Sequence, residues 1–223
     1  MRYVAKGKEP ETVLATRTAT TTNLSTPASA RDAFDQIDKA KVREALTKEQ
    51  EALCAFCMRR ADTRSRNGSP VMRIAHRIPI SVDPKKALDW RNLLGSCDGA
   101  SSRGGSTYCC DVAQRAVPLT VDPTNKTSVS KVRFDRRGPK SGLFITSGDP
   151  AIKADVEETL ALNAGDLPAL REEAWKRFQD EFRKAKPKRY GKEAMREFFH
   201  RWRNARGTST PSFLGVIERK VGL

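Results

Sequence analysis

The chain has 223 residues, 42 Lys and Arg against 27 Asp and Glu, a formal net charge of +15 and a hydrophobic share of 38%. That length holds one core of ordinary size, or a small metal-stapled module with a helical appendage, and the charge favours a polyanionic partner with salt-sensitive binding. No apolar run approaches the roughly 20 residues of a membrane span, and the opening MRYVAKGKEPETV lacks the apolar core of a signal peptide, so the expectation is a cytoplasmic chain with no membrane partner.

Residues 1–30 begin with a basic peptide around Lys6 and Lys8 and continue in Thr, Ser and Ala with little periodicity. Tyr3, Val4 and Val13 are too sparse for a core of their own, so the segment reads as an extended arm, disordered or laid along another surface, with partner docking as one use. From Ser29, a plausible cap, Ala33, Phe34, Ile37, Ala40 and Val42 recur mostly at helical steps. A second short helix is expected from Thr47, where Thr-Lys-Glu-Gln fits a capping box, into Leu53.

In a reducing compartment five cysteines, two of them as Cys54-Ala-Phe-Cys57, point to metal ligands or free thiols rather than disulfides. Two thiolates separated by two residues reach one tetrahedral Zn²⁺ through a tight turn. A redox pair has the same spacing, but it needs a helix N-terminus after a βαβ strand, and none is evident. The second half of a zinc site falls to Cys97 and either Cys109 or Cys110, across the Gly- and Ser-rich insertion Asp98 to Tyr108. Cys110 is preferred because a helical segment begins after it. A closed four-cysteine site would be structural, stabilising a module whose own core is too small.

Between the cysteine pairs, Val71 to Ile80 reads as a strand with His76 near its end and Pro79 breaking the pairing beyond. Asn92 heads a second apolar stretch that reaches Cys97. Taken singly, such a histidine is usually packed and such an asparagine usually a turn residue.

Further on, Val132 and Phe134, then Leu143 and Ile145, flank Arg137-Gly138-Pro139 and predict a hairpin. From Ala151 the spacing is helical through Ile152, Val156, Leu160 and Leu162, and again from Leu167 to Phe182. A basic linker from Lys184 to Arg189 precedes a last helix with Met195, Phe198, Phe199 and Trp202, ending near Gly207. His200 in that helix reads as structural. Arg196, Arg201, Arg203 and Arg206 are candidates for DNA phosphate contact or for a solvated face. There is no internal repeat and no Gly-x-x-x-x-Gly-Lys-Ser/Thr loop, so any nucleotide-dependent control must come from elsewhere.

In their order these residues resemble the HNH endonucleases, and more closely the PtuB-type subunits of Septu and retron-associated antiphage systems. The matching features are Lys-Gly-Lys-Glu-Pro (Lys6 to Pro10), Leu-Thr-Lys-Glu-Gln before Leu-Cys-Ala-Phe-Cys, and His-x-x-Pro at His76 and Pro79. They continue with Ala-Leu-Asp-Trp-Arg-Asn-Leu-Leu, the interrupted cysteine pair ending in Cys110 and Asp111, and Val117 to Pro123.

The resemblance implies an α+β fold: a zinc-stapled ββα-metal (HNH) nuclease module over 31–127, with an arm over 1–30 and a hairpin and helical region over 128–223. It implies a metal-dependent DNA endonuclease with His76 as general base and Asn92 fixing the loop or the ion. Asp111 would bind a catalytic Mg²⁺ or Mn²⁺, and Cys54, Cys57, Cys97 and Cys110 a structural Zn²⁺. The implied partners are DNA and an ABC-type, PtuA-like ATPase. Two positions depart from the pattern: Ala75 stands where an acidic residue commonly precedes the histidine, and Gln114-Arg115 where Lys-Gly is common. Ala75 supports the competing expectation of a catalytically impaired zinc-knuckle DNA-binding or scaffold protein.

Overall fold

A computed structural model describes residues 1–19, 21–61, 72–99, 107–138, 142–187, 189–207 and 209–223, and within them the fold is mixed α+β with small two-stranded sheets. The first thirty residues have no core of their own and take the second of the two expected forms, laid on a surface of the same chain, with one helix that was not expected. Met1, Val4 and Val13 are buried in the same apolar cluster as Phe56, Leu94, Ile145 and Leu162, and Glu11–Thr18 forms helix α1. Few apolar side chains suffice there because the rest of the chain builds the core that they enter.

Helix α2 (Pro27–Gln36) is capped by Thr26, whose side chain accepts from Ser29 N while Ser29 Oγ reciprocates. Ser29 is thus the third helical residue of a capping box and not the cap. The expected run through Val42 breaks at Ile37, because Asp38 Oδ1 accepts from Ala40 N and Lys41 N and starts α3 (Lys39–Glu49). Thr47 lies in the last turn of α3 and begins no helix.

The residues after Thr47 act at long range instead. Lys6 Nζ lies 2.8 Å from Glu49 Oε2, donates to Leu93 O at 3.1 Å and sits 3.5 Å above the Trp90 ring. Glu49 Oε1 also accepts from Gly7 N and Trp90 Nε1. Gln50, buried, accepts from Gly95 N at 2.7 Å and donates to Gly95 O and Leu53 O, both at 2.8 Å. The three stretches Lys-Gly-Lys-Glu-Pro, Leu-Thr-Lys-Glu-Gln and Ala-Leu-Asp-Trp-Arg-Asn-Leu-Leu therefore meet in one buried polar cluster.

Strand β1 (Arg73–His76) pairs antiparallel with β2 (Leu93–Ser96), with Arg73 opposite Ser96 and His76 opposite Leu93. It is shorter than the expected Val71 to Ile80; Val71 lies outside the described residues, and the strand ends at His76, with one further backbone bond from Arg77 N to Asn92 O at 3.0 Å. Two 3₁₀ turns, Pro84–Lys86 and Trp90–Asn92, shape the connection, and helix α4 (Cys110–Gln114) follows β2. Residues 100–106 of the expected insertion are outside the described residues.

After α5 (Lys126–Ser130), β3 (Val132–Arg136) and β4 (Leu143–Ser147) form the expected hairpin, with Phe134 opposite Ile145 and Val132, Phe134, Leu143 and Ile145 buried. Pro139 of the expected turn is outside the described residues. Helix α6 (Pro150–Ala154) runs on into a π turn at Asp155–Thr159 and is followed by α7 (Leu167–Lys184), α8 (Lys192–Ala205) and α9 (Leu214–Val221). Lys188 in the expected basic linker is again outside the described residues.

Helix α9, absent from the expectations, packs Leu214, Ile217 and Val221 with Phe178, Phe199 and Trp202 in a second apolar cluster. Three of the four arginines considered for phosphate contact have internal partners. Arg196 donates to Val221 O and Gly222 O, Arg203 pairs with Glu51, and Arg206 pairs with Glu181 while stacking on Trp202. None of the described helices is long and apolar enough to cross a membrane.

The Lys6 and Glu49 side chains are only 7% and 10% exposed, so removing one strands the other's charge in the interior. Lys6→Ala is expected to lower stability by about 3 kcal/mol in urea unfolding. A loss below about 1 kcal/mol would mean that water replaces Lys6 at Glu49.

Candidate metal centre and the His76 loop

The segment carrying Cys54 and Cys57 reverses tightly. Met58 N donates to Cys54 O, Met58 adopts φ 66°, and Arg59 N donates to Cys57 Sγ at 3.4 Å. Cys97 directly follows β2, and Cys110 is the first residue of α4. Three separate stretches thus deliver four buried thiols whose sulfurs all lie within 4.8 Å of one another. Cys54 to Cys110, Cys57 to Cys97 and Cys97 to Cys110 are each 3.7 Å apart. Thiolates about 2.3 Å from a tetrahedral Zn²⁺ stand about 3.8 Å from each other, so the spacing and the donor type fit, and these four cysteines can hold a metal ion such as zinc. Cys109, the alternative to Cys110, is outside this set, although its Sγ lies 3.6 Å from that of Cys110.

The surrounding charge agrees with a thiolate cluster. Burial, and then neighbouring sulfurs beginning with Cys109, push the Cys110 thiol well up, and a divalent cation beside it would favour its thiolate form. Four thiolates and one divalent ion leave two negative charges. Arg59 Nη2 donates to Cys97 Sγ at 3.6 Å and to Cys109 Sγ at 3.2 Å. Arg171 is completely buried and bonds to Leu143 O, Leu162 O and Asn163 Oδ1, with no carboxylate pairing with it among the described residues. Burial lowers its pKa to about 10, opposed chiefly by Cys57 and Cys110. Sequence reasoning overlooked both arginines. Arg59 follows the knuckle by two residues and is marked by that nearness, whereas nothing local marks Arg171.

His76 is half-buried at the end of β1, with its ring edge-on to Phe34 of α2 at 4.7 Å. Its Nε2 lies 3.0 Å from Ala87 O; a carbonyl only accepts, so Nε2 carries the hydrogen and Nδ1 of the neutral ring keeps its lone pair. Burial pushes the His76 pKa down to about 4, and the positive charge of Arg31, an exposed residue one turn before Phe34, acts in the same direction. The imidazole is consequently neutral at physiological pH.

Asn92 clasps the same connection. Its Nδ2 donates to Ile78 O and Lys86 O, and its Oδ1 accepts from Ile78 N at 2.7 Å. His76 and Asn92 are thereby brought together, holding adjacent carbonyls of one loop. Asp111 is not joined to them. It accepts from Arg73 Nε at 3.1 Å, and Arg73 is three residues before His76 on β1, about 10 Å along a strand. Gln114, buried, donates to His76 O, Arg77 O and Val117 O and so seats α4 against the end of β1. Arg115 adopts φ 52° and ψ −116°, where glycine is favoured, at the position where the resemblance leads one to expect it.

A hard cation beside His76 would need oxygen ligands. Ala75 is buried and has none, Asn92 spends both amide hydrogens on Ile78 O and Lys86 O and accepts from Ile78 N, and Asp111 Oδ2 is turned to Arg73. In this arrangement the residues present do not fit the expected catalytic Mg²⁺ or Mn²⁺. A scan against protein-family models and a search of curated proteins each returned no match to the chain.

Protein prepared with zinc is expected to carry one equivalent per chain. Stripping it with a chelator should lower the thermal midpoint by at least about 10 °C, because the ligands tie together elements too short to persist alone. Metal-free protein with an unchanged midpoint would show that the thiols need no ion.

Proposed function

We propose that the chain is a DNA endonuclease subunit of the HNH (ββα-metal) kind, stapled by a structural Zn²⁺, acting in antiphage defence beside an ABC-type, PtuA-like ATPase. The observation that carries this reading is His76, a neutral imidazole whose Nε2 hydrogen is fixed on Ala87 O and whose Nδ1 is left as an acceptor. Such a nitrogen can take a proton from water as the water oxygen bonds to phosphorus. The bond from phosphorus to the 3′ oxygen then breaks, and solvent protonates the leaving oxygen.

Asn92 has a positioning role, since it fixes the loop whose Ala87 carbonyl orients the ring. Exposed Arg31, Lys85 and Arg91, together with the overall charge of +15, supply cations for a phosphate backbone. Cys54, Cys57, Cys97 and Cys110 would hold Zn²⁺ with no open position, a structural role. The partner and the defence context rest on the resemblance of the sequence alone.

One observation favours a second reading. With Ala75 buried and Asp111 on Arg73, no group of three acidic, histidine or cysteine ligands gathers at His76 among the described residues, as expected of a zinc-knuckle DNA-binding or scaffold protein with impaired catalysis. Incubation of the protein and its ATPase partner with plasmid and phage DNA, with and without Mg²⁺ or Mn²⁺, separates the two. The leading reading expects cutting that falls about a hundredfold or more in His76→Ala. Equal cutting by that variant rejects His76 as the base, and DNA binding without cutting by either protein establishes the second reading.

A further inference from the structure

The cysteine cluster contains one thiol more than a four-coordinate ion uses. Cys109 is buried, and its separation of 3.6 Å from Cys110 Sγ matches the 3.7 Å distances inside the four-cysteine set. The guanidinium that holds it is shared, because Arg59 Nη2 donates to Cys109 Sγ at 3.2 Å and to Cys97 Sγ at 3.6 Å. Arg59 thus keeps the fifth sulfur at the edge of the cluster.

The backbone explains how neighbouring residues present sulfur on the same side. In extended chain, successive side chains point to opposite sides. Cys109 is extended, at φ −140° and ψ 175°, but Cys110 turns to a left-handed φ of 59°. Both amides are held while it does so, Cys109 N on Gly99 O at 2.9 Å and Cys110 N on Leu160 O at 2.8 Å. A side-chain-bearing residue rarely adopts such a φ, and here it leaves the two Sγ atoms adjacent.

We propose that Cys109 is a reserve ligand of the metal site, placed to take the coordination position of Cys110 when that sulfur leaves the ion. One metal–sulfur bond forms as another breaks. The incoming thiol gives its proton to water and the outgoing thiolate takes one up, so coordination number and net charge are unchanged. The inference rests on the four-thiolate site and not on the nuclease reading.

The exchange has a structural consequence. Cys110 is the first residue of α4, whereas Cys109 precedes it, so an ion held through Cys109 still ties Cys54, Cys57 and Cys97 together but no longer grips the helix directly. Helix α4 carries Gln114, the residue that binds the His76 and Arg77 carbonyls. Exchange would loosen α4 against the end of β1 while the knuckle stays closed.

The test uses the full chain with Co²⁺ as a spectroscopic probe, since sulfur-to-cobalt charge transfer and the visible bands report how many thiolates bind. Zn²⁺ stoichiometry comes from native mass spectrometry. The variants are Cys109→Ser, Cys110→Ser, Cys110→Gly, the double Cys109→Ser/Cys110→Ser, and Cys54→Ser. Glycine at 110 accepts the positive φ, so that variant keeps the turn if serine does not fold.

Wild type and Cys109→Ser should bind one ion with the four-thiolate spectrum. Cys110→Ser or Cys110→Gly should keep that spectrum with affinity reduced by about tenfold to a hundredfold. The double variant and Cys54→Ser should lose the four-thiolate spectrum and bind more weakly than either. The proposal is overturned if both position-110 variants show a three-sulfur spectrum and bind as poorly as Cys54→Ser, or if Cys109→Ser alone loses the ion.

Discussion

Convergence of Cys54, Cys57, Cys97 and Cys110 is the constraint on which the first half of the molecule depends. Strands β1 and β2 have four residues each and α4 has five, and neither a two-stranded ribbon nor a single helical turn of that length persists alone in water. The thiols stand at the joints of these pieces: a tight turn, the end of β2 and the start of α4. Arg59 and Arg171 supply positive charge around sulfur where, among the described residues, no carboxylate pairs with them, an arrangement that suits ionised thiols better than neutral ones.

The four thiols lie at one end of the hairpin, and His76 is at the other. Its position relies on a second set of tethers drawn from distant parts of the chain. Lys6 bonds to the carbonyl of Leu93, the residue opposite His76; Gln114 bonds to the His76 carbonyl; Phe34 and Ala87 O hold the ring. The N-terminal residues and α2 are therefore part of the site's construction. A hairpin and helix cut from the chain would lack the surroundings that keep the imidazole neutral.

Much of the local structure was legible. The alternation in Val132 to Ile145 specified a hairpin with one buried face, and the apolar spacing in Leu167 to Phe182 and Met195 to Trp202 specified amphipathic helices. These patterns are readable because near neighbours in the chain set them. The break at Asp38 was missed because a capping aspartate within an otherwise periodic run is a small signal. Helix α9 was missed because its eight residues give few repeats from which to read a period.

The candidate site divides in the same way. From its residues alone the sequence determined that thiols at metal-ligand spacing frame a strand ending in histidine, and that the chain carries a net positive charge, since spacing and charge are properties of the chain itself. Only the tertiary structure decided which partner each polar group receives. It put Cys110 in the four-sulfur set with Cys109 beside it, gave Asp111 to Arg73, gave Arg196, Arg203 and Arg206 partners within the chain, and committed Glu49 to Lys6 and Trp90. The physical reason is that charges and hydrogen-bonding groups pair with whatever the folded chain brings within about 3 Å, and sequence distance carries almost no information about that choice.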